Sequence, residues 1–369
     1  MKALISVTLL FVLVLLSGCL GSSSSSVAPT LSFMYVVGQG ENDIRGLAVK
    51  STGDLESLPI PTFPTNPRPI AMVLHPSKNF IYVVNETANT VSGFNVDHTN
   101  GFLTPIGTAL PPTPVQSLPI AAGINSAGTF LYVLNQGSAS ISAFSIDPTH
   151  GLLTEIAGSP FPTVANPQSL VVSPTANFLY VGNGSAGSIS GFAIGSSGTL
   201  TQLGGSPFSG GAGASVGRMS IDPKGQFLFA ADSVNNTVLS FSIQSSGVLS
   251  PVAGSPFATG GLQPVAIALD NNGVFLYTAN QGSNNVSGFA INAGALTPMA
   301  GSPFAVTSSG NPTPAFLTVD LTNTFLYVGN PGTLNITAFA IKASDGTLTP
   351  IPTSPFAETL QPQWILITK

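Results

Sequence analysis

A six-residue segment, Phe178-Leu179-Tyr180-Val181-Gly182-Asn183, is one of seven near-copies in the chain and constrains its fold more than any other feature. The copies begin at Phe33, Phe80, Phe130, Phe178, Phe227, Phe275 and Phe325, 47 to 50 residues apart. All six tyrosines of the protein, Tyr35, Tyr82, Tyr132, Tyr180, Tyr277 and Tyr327, stand third in this segment, and Phe229 stands third in the remaining copy. A fixed period of this length means a repeat architecture, in which each unit buries its apolar faces against its neighbours.

One unit, residues 166–208, shows what each repeat contains. Leu170-Val171-Val172 is a short apolar run, and Ser173-Pro174-Thr175-Ala176-Asn177 is a turn. Phe178–Val181 is a second strand. Ser188–Ile194 alternates apolar with small or polar residues, the period of a strand with two different faces. Thr199–Leu203 is a fourth strand, closed by Gly204-Gly205-Ser206-Pro207-Phe208. Four antiparallel strands in such a period make one blade of a β-propeller. The aromatic columns Phe94, Phe144, Phe192, Phe241, Phe289 and Phe339, with Leu47 in the first unit, are expected to pack between blades, as are the Ser-Pro-Phe tails. The Asn ending each second strand is expected to bond turn backbone, and Asp222, Asp270 and Asp320 to cap turns.

The two ends complement each other. The first unit starts at its second strand, Phe33–Val37, and Gln361–Ile367 reads as a first strand with nothing after it. The expected fold is therefore all-β, a seven-bladed propeller of four-stranded antiparallel blades. The C-terminal strand would complete the N-terminal blade, and closure would remove the free sheet edges.

Composition narrows the function. Of 369 residues only 9 are Lys or Arg and 14 Asp or Glu, for a net charge of −5. Scattered basic residues give no stripe to neutralise phosphates, so nucleic acid is not an expected partner. The three histidines, His75, His98 and His150, fall in turns on the side away from the expected channel mouth, and surface positions are expected for them. No ligand set for a metal and no cofactor motif is legible, so neither a metal nor a cofactor is expected.

The first thirty residues read as an export and anchoring segment. Ala3–Leu16 is apolar or small apart from Ser6 and Thr8. As a helix it would span about 21 Å, short of the ~30 Å hydrocarbon core, which favours a signal peptide over residues 1–18. Leu16-Ser17-Gly18-Cys19 resembles a bacterial lipobox, which implies a lipid on Cys19, the sole cysteine. Residues 19–30, with Ser22–Ser26, would be a tether, and residues 31–369 the propeller. Leu20 after the cysteine implies the outer membrane in a cell that has one. The expected protein is thus exported, held in the cell envelope by its lipid and monomeric.

The Tyr-Val-x-Asn core resembles the YVTN-type propeller repeat. From Phe33 to Thr368 the chain resembles the lactonase-like seven-bladed propellers, which include 6-phosphogluconolactonases and cycloisomerases. The nearest local match is His75–Glu86 followed by Thr90-Val91. Pro69, His75-Pro76 and Asn85-Glu86 follow the family pattern, whereas the family's Arg and His positions hold Ile70 and Ala71. The resemblance implies lactone hydrolysis, and the missing pair argues against it. Arg218 brings an arginine near that column in one blade, without a histidine.

The loops entering the first strands are expected to ring the channel mouth. They bring Arg68, Gln116, Gln168, Arg218, Gln263, Asn311 and Gln361, and the loops after the second strands add Glu86, Gln136 and Gln281. Two arginines and a glutamate among amides suit a carbohydrate, a sugar acid or a protein ligand. The residues alone favour a non-catalytic binding propeller at the cell envelope. The alternatives are a lactone hydrolase using Arg68, Arg218 and Glu86, and a structural surface protein.

Overall fold

A computed structural model describes residues 28–107 and 112–368, which form seven β-sheets arranged as the blades of a propeller. Cys19 and the segment before residue 28 lie outside the described residues. Blades two to seven each run outward from the central channel in chain order. In blade two these strands are Pro69–Leu74, Phe80–Asn85, Thr90–Val96 and Leu103–Pro105. Blade one holds Thr30–Gln39, Asp43–Lys50 and Leu55–Pro64, and its innermost strand is the C-terminal Gln361–Thr368. That strand lies antiparallel to Thr30–Gln39, with Met34 opposite Ile367 and Val37 opposite Trp364. The ring closes without a covalent link, as the half-units at the two ends required.

The fourth strand is broken in every blade from two to seven. A two-residue piece such as Phe161–Pro162 or Phe208–Ser209 pairs separately with the third strand, beyond a short loop. Five of these loops contain a cis Ser-Pro bond. The break removes a carbonyl from the ladder, and the serine hydroxyl takes its place. Ser159, Ser206, Ser255, Ser302 and Ser354 each accept the third-strand N–H, at 2.9–3.0 Å. The recurring Ser-Pro-Phe thus satisfies a backbone donor that would otherwise be orphaned.

The second strands of blades two and seven are buried at every residue, and the core consists of clusters shared by adjacent blades. Tyr132 and Ile141 of blade three meet Leu179 and Phe192 of blade four in one such cluster. The third-strand phenylalanines are at most 5% exposed and do pack at these seams.

The tyrosine column has a specific task. Each phenol donates to a glycine carbonyl in the next blade, in the turn between its third and fourth strands. Tyr35 reaches Gly101, Tyr82 reaches Gly151, Tyr132 reaches Gly198 and Tyr180 reaches Gly247, at 2.7–2.9 Å. Tyr277 reaches Gly346, and Tyr327 crosses the closing seam to Gly53. Burial pushes all six phenols well above their ordinary pKa. The accepting turn needs glycine on two counts: its φ is positive, and a Cβ would strike the phenylalanine that opens the preceding hexad, as Gly198 would strike Phe130.

Two expectations need correction. The Asn ending the second strand does not bond turn backbone. Its amide instead reaches hydroxyls of the third strand: Asn85 to Ser92, Asn135 to Ser142, Asn183 to Ser190, Asn280 to Ser287 and Asn330 to Thr337. These groups are buried, so each must find its partner inside the protein. Asp232, which stands in the same column, does accept from turn N–H groups, those of Val234 and Asn235. His75 is not a surface residue. It is 7% exposed, with Nε2 donating to the Gly128 carbonyl and Nδ1 accepting from the Ser77 N–H, so it ties two blades together. His98 and His150 are exposed. Asp222, Asp270 and Asp320 cap their turns through two or more N–H groups each.

Candidate functional site

The seven innermost strands surround a cavity of about 970 Å³. It runs from Glu86, Gln136 and Gln168 at the mouth to Pro174 at the other end. First strands enter at the mouth, so residue order along each strand translates into depth.

Just inside the mouth, equivalent positions of the strands form one level of the wall. Pairing with the second strands defines it: Trp364 faces Val37, Ala71 faces Val84, Ala121 faces Leu134, Ser169 faces Gly182, Ala266 faces Ala279 and Phe316 faces Gly329. Arg218, one residue before Met219, takes this level in blade five, at a bulge in the ladder. Ala121, Ser169, Arg218, Phe316 and Trp364 of this level line the cavity, whereas Ala71 and Ala266 are buried in the seams behind it. Phe316 and Trp364, on neighbouring strands, stack with centroids 4.7 Å apart and planes inclined by 29°. The Arg218 guanidinium lies over both rings, 4.5 Å from the Trp364 centroid and 5.2 Å from that of Phe316. A guanidinium over aromatic faces is held by the ring quadrupoles while its in-plane N–H edges stay free.

Among the described residues Arg218 has no counter-ion. Their carboxylate salt bridges join other groups, and none of their hydrogen bonds comes from the Arg218 side chain. Burial pulls its pKa down to about 10, which still leaves it a cation at neutral pH. Its side chain keeps partial contact with channel solvent. Such a charge is poorly solvated and unneutralised, and an anion or a polarised carbonyl would relieve it.

At the mouth, Arg68 and Glu86 form an ion pair of 2.8 Å, reinforced by the Glu86 N–H donating to the Arg68 carbonyl. Glu86 is 12% exposed and lines the cavity, whereas Arg68, 42% exposed, lies outside its lining. Gln168 lines the mouth and donates to Asn166. Gln136 lines it too and donates to the Pro167 carbonyl of the next blade.

The structure therefore brings Glu86, Gln168 and Arg218 to one cavity. Gln116, Gln263 and Gln361 are exposed and stand outside its lining. Arg218 is not in the entry loop but on the strand Val216–Ile221, which is why it reaches the channel. Sequence reasoning missed Phe316 and placed Trp364 only in the closing strand. Both share the Arg218 register position, a column readable in the sequence once the second strands are aligned. Among the described residues no three His, Cys, Asp or Glu come together as a metal would need.

A family model described as a seven-bladed β-propeller lactonase matches residues 24–217 and 206–310. No curated protein matches the chain by sequence. Among solved structures, a candidate 6-phosphogluconolactonase from Bacteroides uniformis superposes with a TM-score of 0.77 at 17% identity, covering 91% of this chain and 99% of that one. A candidate 6-phosphogluconolactonase from Bacteroides fragilis gives 0.77 at 19% identity, covering 92% and 98%. The periplasmic gluconolactonase of Pseudomonas aeruginosa gives 0.76 at 17% identity, covering 92% and 99%. At these identities the likeness establishes the fold.

Proposed function

This chain belongs to the lactonase family of seven-bladed β-propellers, and on that premise we propose that it opens a lactone ring at the mouth of its central channel. Family membership moves the weight from the non-catalytic binding module to the hydrolase. The observation that carries the reading is Arg218, an unneutralised cation held over two aromatic rings inside a cavity whose mouth carries a carboxylate.

The roles follow from the chemistry. Hydrolysis adds water across the acyl carbon–oxygen bond of the ring. The carbonyl oxygen gains negative charge as water attacks, and preorganised N–H donors in a poorly solvated site stabilise it. Arg218 supplies those donors. Among the described residues Glu86 is the one carboxylate lining the cavity, and it takes the proton of the attacking water. The ring oxygen leaves as an alcohol once protonated, and the acyl carbon becomes a carboxylate. Arg68 holds Glu86 in place through their ion pair. Gln136 and Gln168 offer amides to the substrate's polar groups.

The test is base uptake during hydrolysis of a lactone panel by the wild type, Arg218→Ala and Glu86→Gln. Each substitution should lower kcat at least ~100-fold, the scale of losing one oxyanion donor or one general base. Undiminished turnover in both variants would remove the assignment. Saturable binding without any turnover would return the protein to the non-catalytic reading.

The cellular setting is a separate proposal resting on residues 1–30: the protein is exported and lipid-anchored through Cys19. Cys19→Ser should abolish incorporation of a labelled fatty acid in a bacterial host.

A further inference from the structure

We infer that Ser169, Gly184 and Asp232 are positioning residues for Arg218: together they fix the start of the strand that carries it into the channel. This rests on the reading of Arg218 as the oxyanion donor and names what holds it there.

Among the described residues no hydrogen bond holds the Arg218 side chain. The collar of Arg218, Phe316 and Trp364 is therefore set by ring contact and by where the backbone places Arg218. A poorly solvated cation gains by moving toward water at the mouth, so its backbone must resist that movement. Each of the three residues before Arg218 is held by a group that departs from the repeat. Ser215 donates its N–H to Asp232 Oδ1 at 3.0 Å. Asp232 stands where five blades have Asn, whose amide donates to a third-strand hydroxyl seven residues on. In blade five that place holds Leu239, which cannot receive an amide. A carboxylate only accepts, and both oxygens are used, Oδ2 by the Asn235 side chain and Oδ1 by the N–H groups of Ser215, Val234 and Asn235. Val216 and Gly184 of blade four exchange two bonds of 3.0 Å, each N–H donating to the other's carbonyl. Blades two, three and six begin this strand with Pro69, Pro119 and Pro264, which have no N–H to give. Gly217 accepts at its carbonyl from the Ser169 hydroxyl at 2.6 Å. Ser169 carries the one hydroxyl among the seven residues of its level. Gly182 makes room for that bond, since a Cβ there would lie 2.8 Å from Ser169 Oγ and 2.9 Å from the Gly217 carbonyl oxygen. Three departures thus fall on three successive residues, and the next residue is the cation.

Trp364, the sole tryptophan, lies 4.5 Å from the Arg218 guanidinium and reports where that charge sits. Iodide, an anionic quencher, is drawn to the cation, whereas neutral acrylamide is not. The ratio of iodide to acrylamide quenching would be measured without ligand in the wild type, Ser169→Ala, Arg218→Met and Ser190→Ala. Arg218→Met sets the ratio in the absence of the charge. Ser169→Ala should move at least about half-way to it. Ser190→Ala, which also loses a buried hydroxyl bond in blade four, should keep the wild-type ratio. On a lactone that the wild type hydrolyses, Ser169→Ala should lower kcat about 10–100-fold and leave KM within about threefold, because the oxyanion forms only after binding. A wild-type ratio in Ser169→Ala would overturn the inference, as would a wild-type kcat where Arg218→Ala has lost its own. One measurement needs no variant: amide exchange at Ser215 and Val216 should be at least about tenfold slower than at Gly213 in the same loop. Equal rates would also overturn the inference. The two readings fail separately. A shifted ratio in Ser169→Ala with no turnover of any lactone would sink the hydrolase and keep the positioning. A wild-type ratio and kcat in Ser169→Ala, with Arg218→Ala inactive, would do the reverse.

Discussion

The seams between blades and the wall of the channel are built from the same repeats, yet one is uniform and the other is not. At six seams a tyrosine hydroxyl meets a glycine carbonyl of the next blade. In blade five the tyrosine is replaced by Phe229, and the carbonyl of Gly294 would lose its donor. It does not: Ser240, directly across the ladder from Phe229, donates to it at 2.7 Å. The residue at that place in the other blades is Gly46, Gly93, Ala143, Gly191, Gly288 or Ala338, none with a hydroxyl. A seam thus tolerates a change of residue but not an unpaired buried carbonyl. The channel level obeys no such rule. Its seven positions hold two alanines on one side, a serine, an arginine, another alanine, a phenylalanine and a tryptophan in ring order. Repetition preserves what every blade needs. Divergence collects where only the ring as a whole has a function.

The contrast is broken most completely by removing the strand that serves both regions. Truncation after Pro362 deletes Trp364 from the collar and leaves the edge of Thr30–Gln39 unpaired. Insoluble or unfolded protein is expected, because an open edge templates aggregation. A soluble truncant with an unchanged Tm would refute non-covalent closure as a source of stability.

A smaller and more selective effect comes from exchanging seam donors. Tyr132→Phe should cost about 1–3 kcal/mol in urea unfolding, since it strands the buried Gly198 carbonyl. Adding Ala143→Ser, which copies blade five into blade three, should restore most of the loss. Ser240→Ala should cost a similar amount. None of the three should alter ligand binding, because the seam lies behind the channel wall. Failure of the double variant to recover stability would show that the hydroxyl is not what the seam selects.

The closing seam carries a pH dependence of its own. Glu358 and Arg45 meet there at 3.4 Å, with Glu358 2% exposed at its side chain. Burial raises the Glu358 carboxyl to about 7 from its ordinary 4.5, against the lowering effect of Arg45. A raised folded-state pKa means the folded protein binds the extra proton. The stability it contributes is therefore complete below about 4.5 and is lost as pH rises through about 7. Glu358→Gln should flatten the stability profile in that window. A profile that keeps its slope in the variant would assign the pH dependence to another group.

The smallest expected effect on stability is the largest on function. Arg218→Met removes a desolvated, unneutralised charge, so the melting temperature should stay level or rise slightly while ligand binding is lost. A large drop in Tm would show that Arg218 stays for packing on Phe316 and Trp364.

Much of the fold was legible because its determinants are local and repeated. The tyrosine column, the Ser-Pro-Phe tails and the half-units at the two ends can each be read within one period. The site was less legible. Arg218, Gln168 and Glu86 were named from the loops, but Gln116, Gln263 and Gln361 came from the same reasoning and stand outside the cavity. A one-residue bulge decides whether a residue at the start of a strand faces the channel, and hydropathy does not report a bulge. The asparagine column was misread for a related reason: its hydroxyl partners lie five and seven residues later, across a turn, and are visible only as a ladder register.

The sequence alone determined the number of blades, their strand order and the need for the C-terminal strand to close the ring. Those follow from periodicity and from counting strands that must be paired. The tertiary structure decided that Arg218, Phe316 and Trp364 converge, though 98 and then 48 residues separate them along the chain. It also decided that Ser240 replaces a missing phenol. Both depend on the radius and stagger at which seven sheets meet, and those are set by how all the seams pack together, not by any one repeat.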